Sequence, residues 1–440
     1  MSSLFSKLAR LPSQGAAPGA SSVVAEGADP QGKLAELRAK MDAMLGTTSA
    51  PPRRKDVAVN PDTWDLPIVR EETSHGDCFI RRQVLGHTHA VGLAPIAPGF
   101  DARAEVLSLL ALDPELAGCD PRRALYFDTE TTGLSGGTGT VAFLLGLGFY
   151  DERGAFVLEQ YFLPELGGET PILGRLLERL QNATMLVSFN GKSFDWPLLR
   201  TRLTLARLAQ PAEMPPHLDL VHVARRIHRS KIGPRKSLRL QDLERELLAL
   251  ERVGDVPSNE ISACYFHFLR TGDTSVMRAV IDHNATDVLS MAALVGLYGE
   301  PFDRMRLSSA GLAGVAHTLA RAKKYDVADA VATRAVAEGG SAESYYARAE
   351  VARARGARDQ ALLDFEELAR AVDVPKVRLA LAKLYEHHVG DCERALALTL
   401  EGTGERPAAA EKRRQRLHQK VRKNAVVSGD ADCPRLPEPE

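Results

Sequence analysis

The chain has 440 residues, 44% apolar and 26% charged, an ordinary globular balance in a length that exceeds one ordinary domain. Its 56 Lys and Arg nearly cancel 57 Asp and Glu, leaving a formal net charge of −1. That excludes a histone-like or wholly basic nucleic-acid binder, but not a local basic groove, because net charge reports a sum and not a distribution.

Cys78, Cys119, Cys264, Cys392 and Cys433 are scattered, with no C-x-x-C pair. This argues against a disulfide framework or zinc site and fits a reducing cytoplasm. No apolar run reaches the ~18–20 residues of a spanning helix, so no membrane partner is expected. The N-terminus lacks a signal-peptide core; Leu4, Phe5, Leu8 and Leu11 line at most one face of a short helix.

Residues 1–55 read as a weakly ordered segment, Gly-, Ala-, Ser- and Pro-rich, with one short helix over 31–45. Residues 56–120 read as an extension packing on the domain C-terminal to it, with a strand at CFIRRQVL and a helix at EVLSLLAL. His75, His87 and His89 fall here, but no carboxylate or cysteine at matching spacing makes them a metal site.

Residues 121–300 carry the strongest patterning. ALYFD, TVAFLLGLGFY, AFVLEQYFL and TMLVSFN predict buried strands, with a helix over 169–181 and another from SFDWPLL. Pro197 falls in the first turn of the latter, where a missing N–H is harmless. The order predicts an α/β domain with a mixed sheet. Residues 306–402 turn to Ala-rich helices. AKKYDVADAVATRAVA, ARGARDQALLDFEELA and HVGDCERALALTLEG look alike, with Ala330, Ala361 and Ala395 in similar places, which predicts tetratricopeptide-like helical repeats. Residues 403–440 form a tail, first basic (EKRRQRLHQKVRK), then Pro-rich and acidic. A basic helix there could meet nucleic acid or simply be a solvated face.

The informative residues are in FDTETTGL. A strand delivers Asp128 and Glu130 to one face, because positions i and i+2 point the same way. Two carboxylates on one face repel unless a cation sits between them, which suits a divalent metal. SFNGKSFDWPLL places Asp195 in the first turn of a helix after an Asn-Gly turn. DHNATDVLS places His283 and Asp287 four apart, on one face of a long, partly buried helix. The glycines of LSGGTGTVAF lead into a strand with no GK[ST], so they are a turn and not a phosphate loop. Asp219 in HLDL reads as a strand-end cap, Asn190 as the residue fixing the turn, and Phe194 as core.

DTETTGL, N-x3-FD and H-x3-D, in that order, resemble the three motifs of the DEDD, or DnaQ-like, 3′–5′ exonucleases on the ribonuclease H-like fold. NGKSFDWPLL, HLDLVHVARR, KSLRLQDLERELL, YFHFLRTGD and DHNATDVLS are similar to the YprB-like family, over roughly residues 60–300. The resemblance implies a ribonuclease H-like mixed sheet flanked by helices. It implies that Asp128, Glu130, Asp195 and Asp287 hold two Mg2+ or Mn2+ ions, with His283 orienting or deprotonating the attacking water. Related exonucleases use Tyr at Y-x3-D or His at H-x4-D spacing; here a His stands at the Tyr-type spacing.

RRIHRSKIGPRKSLR supplies Arg225, Arg226, Arg229, Lys231, Arg235 and Lys236 with no acid. Lying between the second and third motifs, it reads as a phosphate track. Thr131, Leu134 and Lys192 complete the expected nucleic-acid contacts, with Trp196 and Phe194 as further packing surfaces. The expected function is a cytoplasmic, metal-dependent nuclease acting on DNA or RNA, with helical repeats that take a protein partner. The alternatives are a nucleic-acid-binding or scaffold protein on the same fold, and an endonuclease using the same metals.

Overall fold

The computed structural model describes residues 64–133, 139–230 and 238–428. The predicted helix over 31–45, Cys433 and the Pro-rich end of the tail lie outside these residues. The elements are β1 (Val69–Thr73), β2 (Gly76–Leu85), the two-residue strands β3 (Ala90–Val91) and β4 (Ala94–Pro95), α1 (Ala104–Ala111), β5 (Ala124–Thr131), β6 (Ala142–Tyr150), β7 (Phe156–Phe162), α2 (Thr170–Leu180), β8 (Met185–Ser188), α3 (Asp195–Leu205), β9 (His217–Asp219), α4 (Leu220–Ile227), α5 (Leu240–Leu243), α6 (Ile261–Thr271) and α7 (Met277–Tyr298). Seven strands form one sheet, in the order β1-β2-β7-β6-β5-β8-β9. β5 pairs antiparallel with β6 and parallel with β8, and β8 runs parallel to β9. The mixed sheet predicted from the motifs is therefore present. The N-terminal extension does more than pack on it: β1 and β2 lengthen the sheet along β7. Arg82 of β2 and Arg179 of α2 both bond the buried Glu159 of β7, at 2.8 and 2.7 Å, so the added strands are tied in by charge as well as by backbone.

Alternation along β5 sends Ala124 and Tyr126 to one core and Leu125 and Phe127 to the other. The first core gathers β5, β8 and β9 against α4 and α7. The second holds α2, α3 and α6 against the opposite face, where Phe143 and Tyr265 stack with centroids 4.0 Å apart. Burying each such ring contributes about 1.5–3 kcal/mol. The same alternation puts Asp128 and Glu130 on the α7 side and Thr129 on the α3 side.

Helices α8 (Ser309–Arg321), α9 (Tyr325–Ala337), α10 (Ala342–Arg355), α11 (Arg358–Ala371), α12 (Pro375–Leu384), α13 (Cys392–Leu400) and α14 (Pro407–Ser428) come next, joined by short connections. Consecutive members pack on one another. Each alternate helix buries an alanine as its fourth residue, Ala328, Ala361 and Ala395, whereas Ala330 faces outward. The alignment expected from sequence is thus two residues out in α9. Four cations of the basic helix α14 are engaged by acids. Arg413, Arg416 and Lys420 all point at Glu386, and Arg414 bonds Glu411. Among the described residues, no helix is long and apolar enough to cross a membrane.

α8 packs directly on the end of α4. A Cβ at Gly314 would lie 1.9 Å from the Ile227 carbonyl oxygen, which only a glycine permits. Gly314→Ala is expected to lower stability by about 1–3 kcal/mol through overpacking. A lower urea midpoint with an unchanged slope would show it.

Candidate active site at the end of the central strand

β5 ends in an irregularity between Glu130 and Thr131, so the strand delivers its acids and then turns away. Beside it, the turn after β8 is fixed by Asp219. That carboxylate accepts backbone N–H groups from Asn190 (2.7 Å), Lys192 (3.1 Å) and Val221 (3.2 Å), so it caps and does not join the cluster. Asn190 takes the left-handed conformation the turn needs, with φ 71°. The turn sets Asp195 at the start of α3, where the helix dipole favours an acid. Thr129 donates to Asp195 from the neighbouring strand.

From the other side, α7 presents His283, Asn284 and Asp287. Asn284 Nδ2 donates to Asp128 Oδ2 at 2.8 Å, while its Oδ1 accepts from Gln160 Nε2 at 2.9 Å. Room for this amide comes from Gly146, paired with Asp128 in β6; a Cβ there would fall 2.3 Å from Asn284 Oδ1.

Asp128, Glu130, Asp195 and Asp287 are thus brought into electrostatic range of one another. Burial raises the Asp128 carboxyl well above the usual range, and the charges of Asp287, Glu130 and Asp195 raise it further. Burial likewise pushes Glu130 up to about 8 and Asp195 up to about 6. Burial would pull His283 down, but its hydrogen bond to Asp255 and the charges of Asp287 and Glu130 outweigh that and push it up to about 9. Its contacts to Asp255, Asp287 and Glu130 thus favour the protonated ring. Its Nε2 lies 3.9 Å from Glu130 Oε1 and 3.7 Å from Asp287 Oδ2, so the ring reaches the cluster despite the short spacing.

These acids suit a hard divalent cation in chemistry: oxygen donors, half-buried beside a cleft and mutually repelling. Among the described residues no three His, Cys, Asp or Glu side chains form a ready-made metal cluster. Asn284 holds Asp128, Thr129 holds Asp195, and Arg252 holds Asp287. Arg252, Asp255 and Asn284 are participants that sequence reading missed. Asn284 sits next to His283 within the third motif and could have been found there. Arg252 and Asp255 lie in a loop with no periodic signal.

A cleft of about 390 Å3 opens beside the acids, lined by Glu130, Thr131, Asp195 and Phe194, with Leu198, Ser258 and Ile261 on its wall. Phe194 is 58% exposed there and is not a core residue, because the turn before α3 holds its ring outward. Trp196 instead packs edge-on against Phe127. Thr131 lines the cleft, and its hydroxyl donates to the Gly133 carbonyl at 2.9 Å. Lys192 is exposed, 3.8 Å from Asp113.

Of the basic run, Arg225 and Arg226 lie in the last turn of α4, which Asp219 caps and whose end at Ile227 is about 12 Å along the axis from its start, and Arg229 follows it. Arg226 Nη1 donates to the Leu110 carbonyl at 3.4 Å, and Ser230 bonds Glu343 at 3.0 Å, which places this end against α1 and α10. Leu134, Lys231, Arg235 and Lys236 lie outside the described residues.

An antiparallel β-ribbon feeding parallel strands, with acids at the end of β5 and on a long crossing helix, defines a ribonuclease H-like domain. Residues 125–298 match the RNase_H superfamily profile, in agreement with that architecture. The chain is also similar to the uncharacterized protein YprB of Bacillus subtilis (strain 168), 34% identical over 247 residues. The match covers 52% of this chain and 57% of that relative, so the chain spans just over half the length of the curated relative it matches.

Proposed function

We propose that the protein is a divalent-metal-dependent nuclease that removes nucleotides from the 3′ end of a DNA or RNA strand. The observation that carries this reading is the convergence of Asp128, Glu130, Asp195 and Asp287, from three separate motifs, at the end of β5. Two Mg2+ or Mn2+ ions held by these four carboxylates would supply a nucleophile at neutral pH and stabilise the charge developing on the leaving oxygen. Asn284 keeps Asp128 facing the site, and Thr129 does the same for Asp195. Of the His283 ring atoms, Nε2 faces Glu130 Oε1 at 3.9 Å and Asp287 Oδ2 at 3.7 Å, and with metal neutralising the carboxylates it would be the atom to take a proton. Phe194 presents a ring face on which the terminal base can stack. We read α8–α13 as tetratricopeptide-like hairpins that take a protein partner.

The test is cleavage of 5′-labelled single- and double-stranded DNA and RNA with Mg2+ or Mn2+. Stepwise shortening from the 3′ end is expected. Internal cuts would indicate an endonuclease, and metal-independent binding without cleavage a scaffold. Base stacking on an aromatic ring is worth about 1–3 kcal/mol, so Phe194→Ala is expected to raise KM about tenfold with kcat little changed. Steady-state kinetics on a single-stranded oligonucleotide measures both.

A further inference from the structure

The loop before α6 crosses over α7 and sends two side chains inward. Arg252 is 9% exposed and Glu244, its bidentate partner, 1%. Arg252 Nε and Nη2 meet the two Glu244 oxygens at 2.7 and 2.5 Å, and Ser290 Oγ, one turn beyond Asp287, holds the same Glu244 at 2.6 Å. The guanidinium also takes Asp287 Oδ1. The other oxygen, Oδ2, is the one near His283 Nε2, at 3.7 Å. Asp255 Oδ1 meets His283 Nδ1 at 2.6 Å and is itself held by the Val256 N–H at 3.0 Å, while its Oδ2 takes Arg252 Nη1 at 3.3 Å and Gln241 Nε2 at 3.2 Å. The bonds form a closed ring from α7 through the loop to Glu244 and back to α7.

From this ring we infer that Arg252 and Asp255 are positioning residues, Arg252 aiming the Oδ2 oxygen of Asp287 at the metal site and Asp255 aiming Nε2 of His283. The inference rests on the nuclease reading above. Arg252 occupies one oxygen of the third-motif acid and leaves the other for the cation. A carboxylate fixed in this way presents its remaining oxygen without first losing rotational freedom. The opposite role, a blocking cation that must leave before metal enters, predicts an effect of opposite sign. A lysine cannot replace the guanidinium, because a point charge on a flexible stem cannot bridge Glu244 and Asp287 together.

The test is calorimetric titration of Mn2+ into the full chain without nucleic acid, then kinetics at saturating Mn2+. Arg252→Lys is expected to bind Mn2+ about tenfold or more weakly. Ser290→Ala, which loosens Glu244 but leaves every inward-facing acid in place, is expected to weaken binding about threefold in the same direction. This second variant keeps the test decisive should Arg252→Lys fail to fold. Asp255→Asn is expected to keep Mn2+ affinity and KM while turnover drops about tenfold or more. Unchanged or tighter Mn2+ binding in Arg252→Lys or Ser290→Ala overturns the role of Arg252. Unchanged turnover in Asp255→Asn overturns that of Asp255. If the wild-type chain itself takes up no Mn2+, the metal reading falls and this inference falls with it, an outcome separable from the others because the variants play no part in it.

Discussion

Asp128→Asn is expected to cut metal-dependent hydrolysis by about a thousandfold or more, the scale of losing a group that organises transition-state charge. The same substitution is expected to make the metal-free protein more stable, by about 1–2 kcal/mol. Partial removal from solvent disfavours the Asp128 charge, and Asp287, Glu130 and Asp195 repel it further. An asparagine keeps an oxygen for the Asn284 amide and removes the repulsion. Activity assays and thermal melts in EDTA on the same preparation check both halves. A variant that loses activity and stability together would point to simple misfolding.

Glu386→Gln is expected to lower stability by about 3 kcal/mol at pH 7, within the range for breaking a buried charge cluster. The Glu386 side chain is fully buried at the junction of α12, α13 and α14. It accepts from Arg416 Nε and Nη2 at 2.7 and 2.8 Å, Lys420 Nζ at 2.9 Å and Arg413 Nη1 at 3.3 Å. Burial alone would raise its carboxyl, but the hydrogen bonds from Arg416 and Lys420 outweigh that and hold it at about 2, against an ordinary 4.5. A depressed folded-state value means the contribution is complete above about pH 4.5 and lost as pH falls towards 2. The wild type should therefore lose this stability in that window, and the glutamine variant should show a flatter acid limb. Urea unfolding at pH 7 and pH 3 measures the difference. Equal stability at pH 7 would mean that Leu417 and its apolar neighbours hold α14 without the charge cluster.

The strands around the site were legible because a buried strand writes its period into the chain: β6, β7 and β8 fall within the predicted apolar runs, and β5 starts with its run and continues past it to Thr131. Asp128, Glu130, Asp195 and Asp287 were legible for a related reason. Their spacing within short motifs fixes which face each occupies, and the motif order fixes the fold. Phe194 was misread because a phenylalanine beside a helix start looks like core, and only the turn geometry shows its ring directed into the cleft. The placement of Arg225 and Arg226 was not legible because a linear run of charge carries no direction; it is α4 that sets where they lie. The pairing of α14 with a buried acid was not legible either. Its partner acid, Glu386, lies about a helix pair earlier in the chain, and no local pattern links the two. Arg252 and Asp255 were invisible in the same way, since a loop residue acquires its meaning only from what it crosses.

Hydrolysis by the acid cluster is the central claim, and one time course tests it most directly. The full chain is incubated with a 5′-labelled single-stranded oligonucleotide and Mn2+, beside an EDTA control and the Asp128→Asn variant. A ladder shortening from the 3′ end is expected in the first reaction and intact substrate in the other two. Intact substrate in all three, or equal cleavage by Asp128→Asn, would contradict the proposed chemistry.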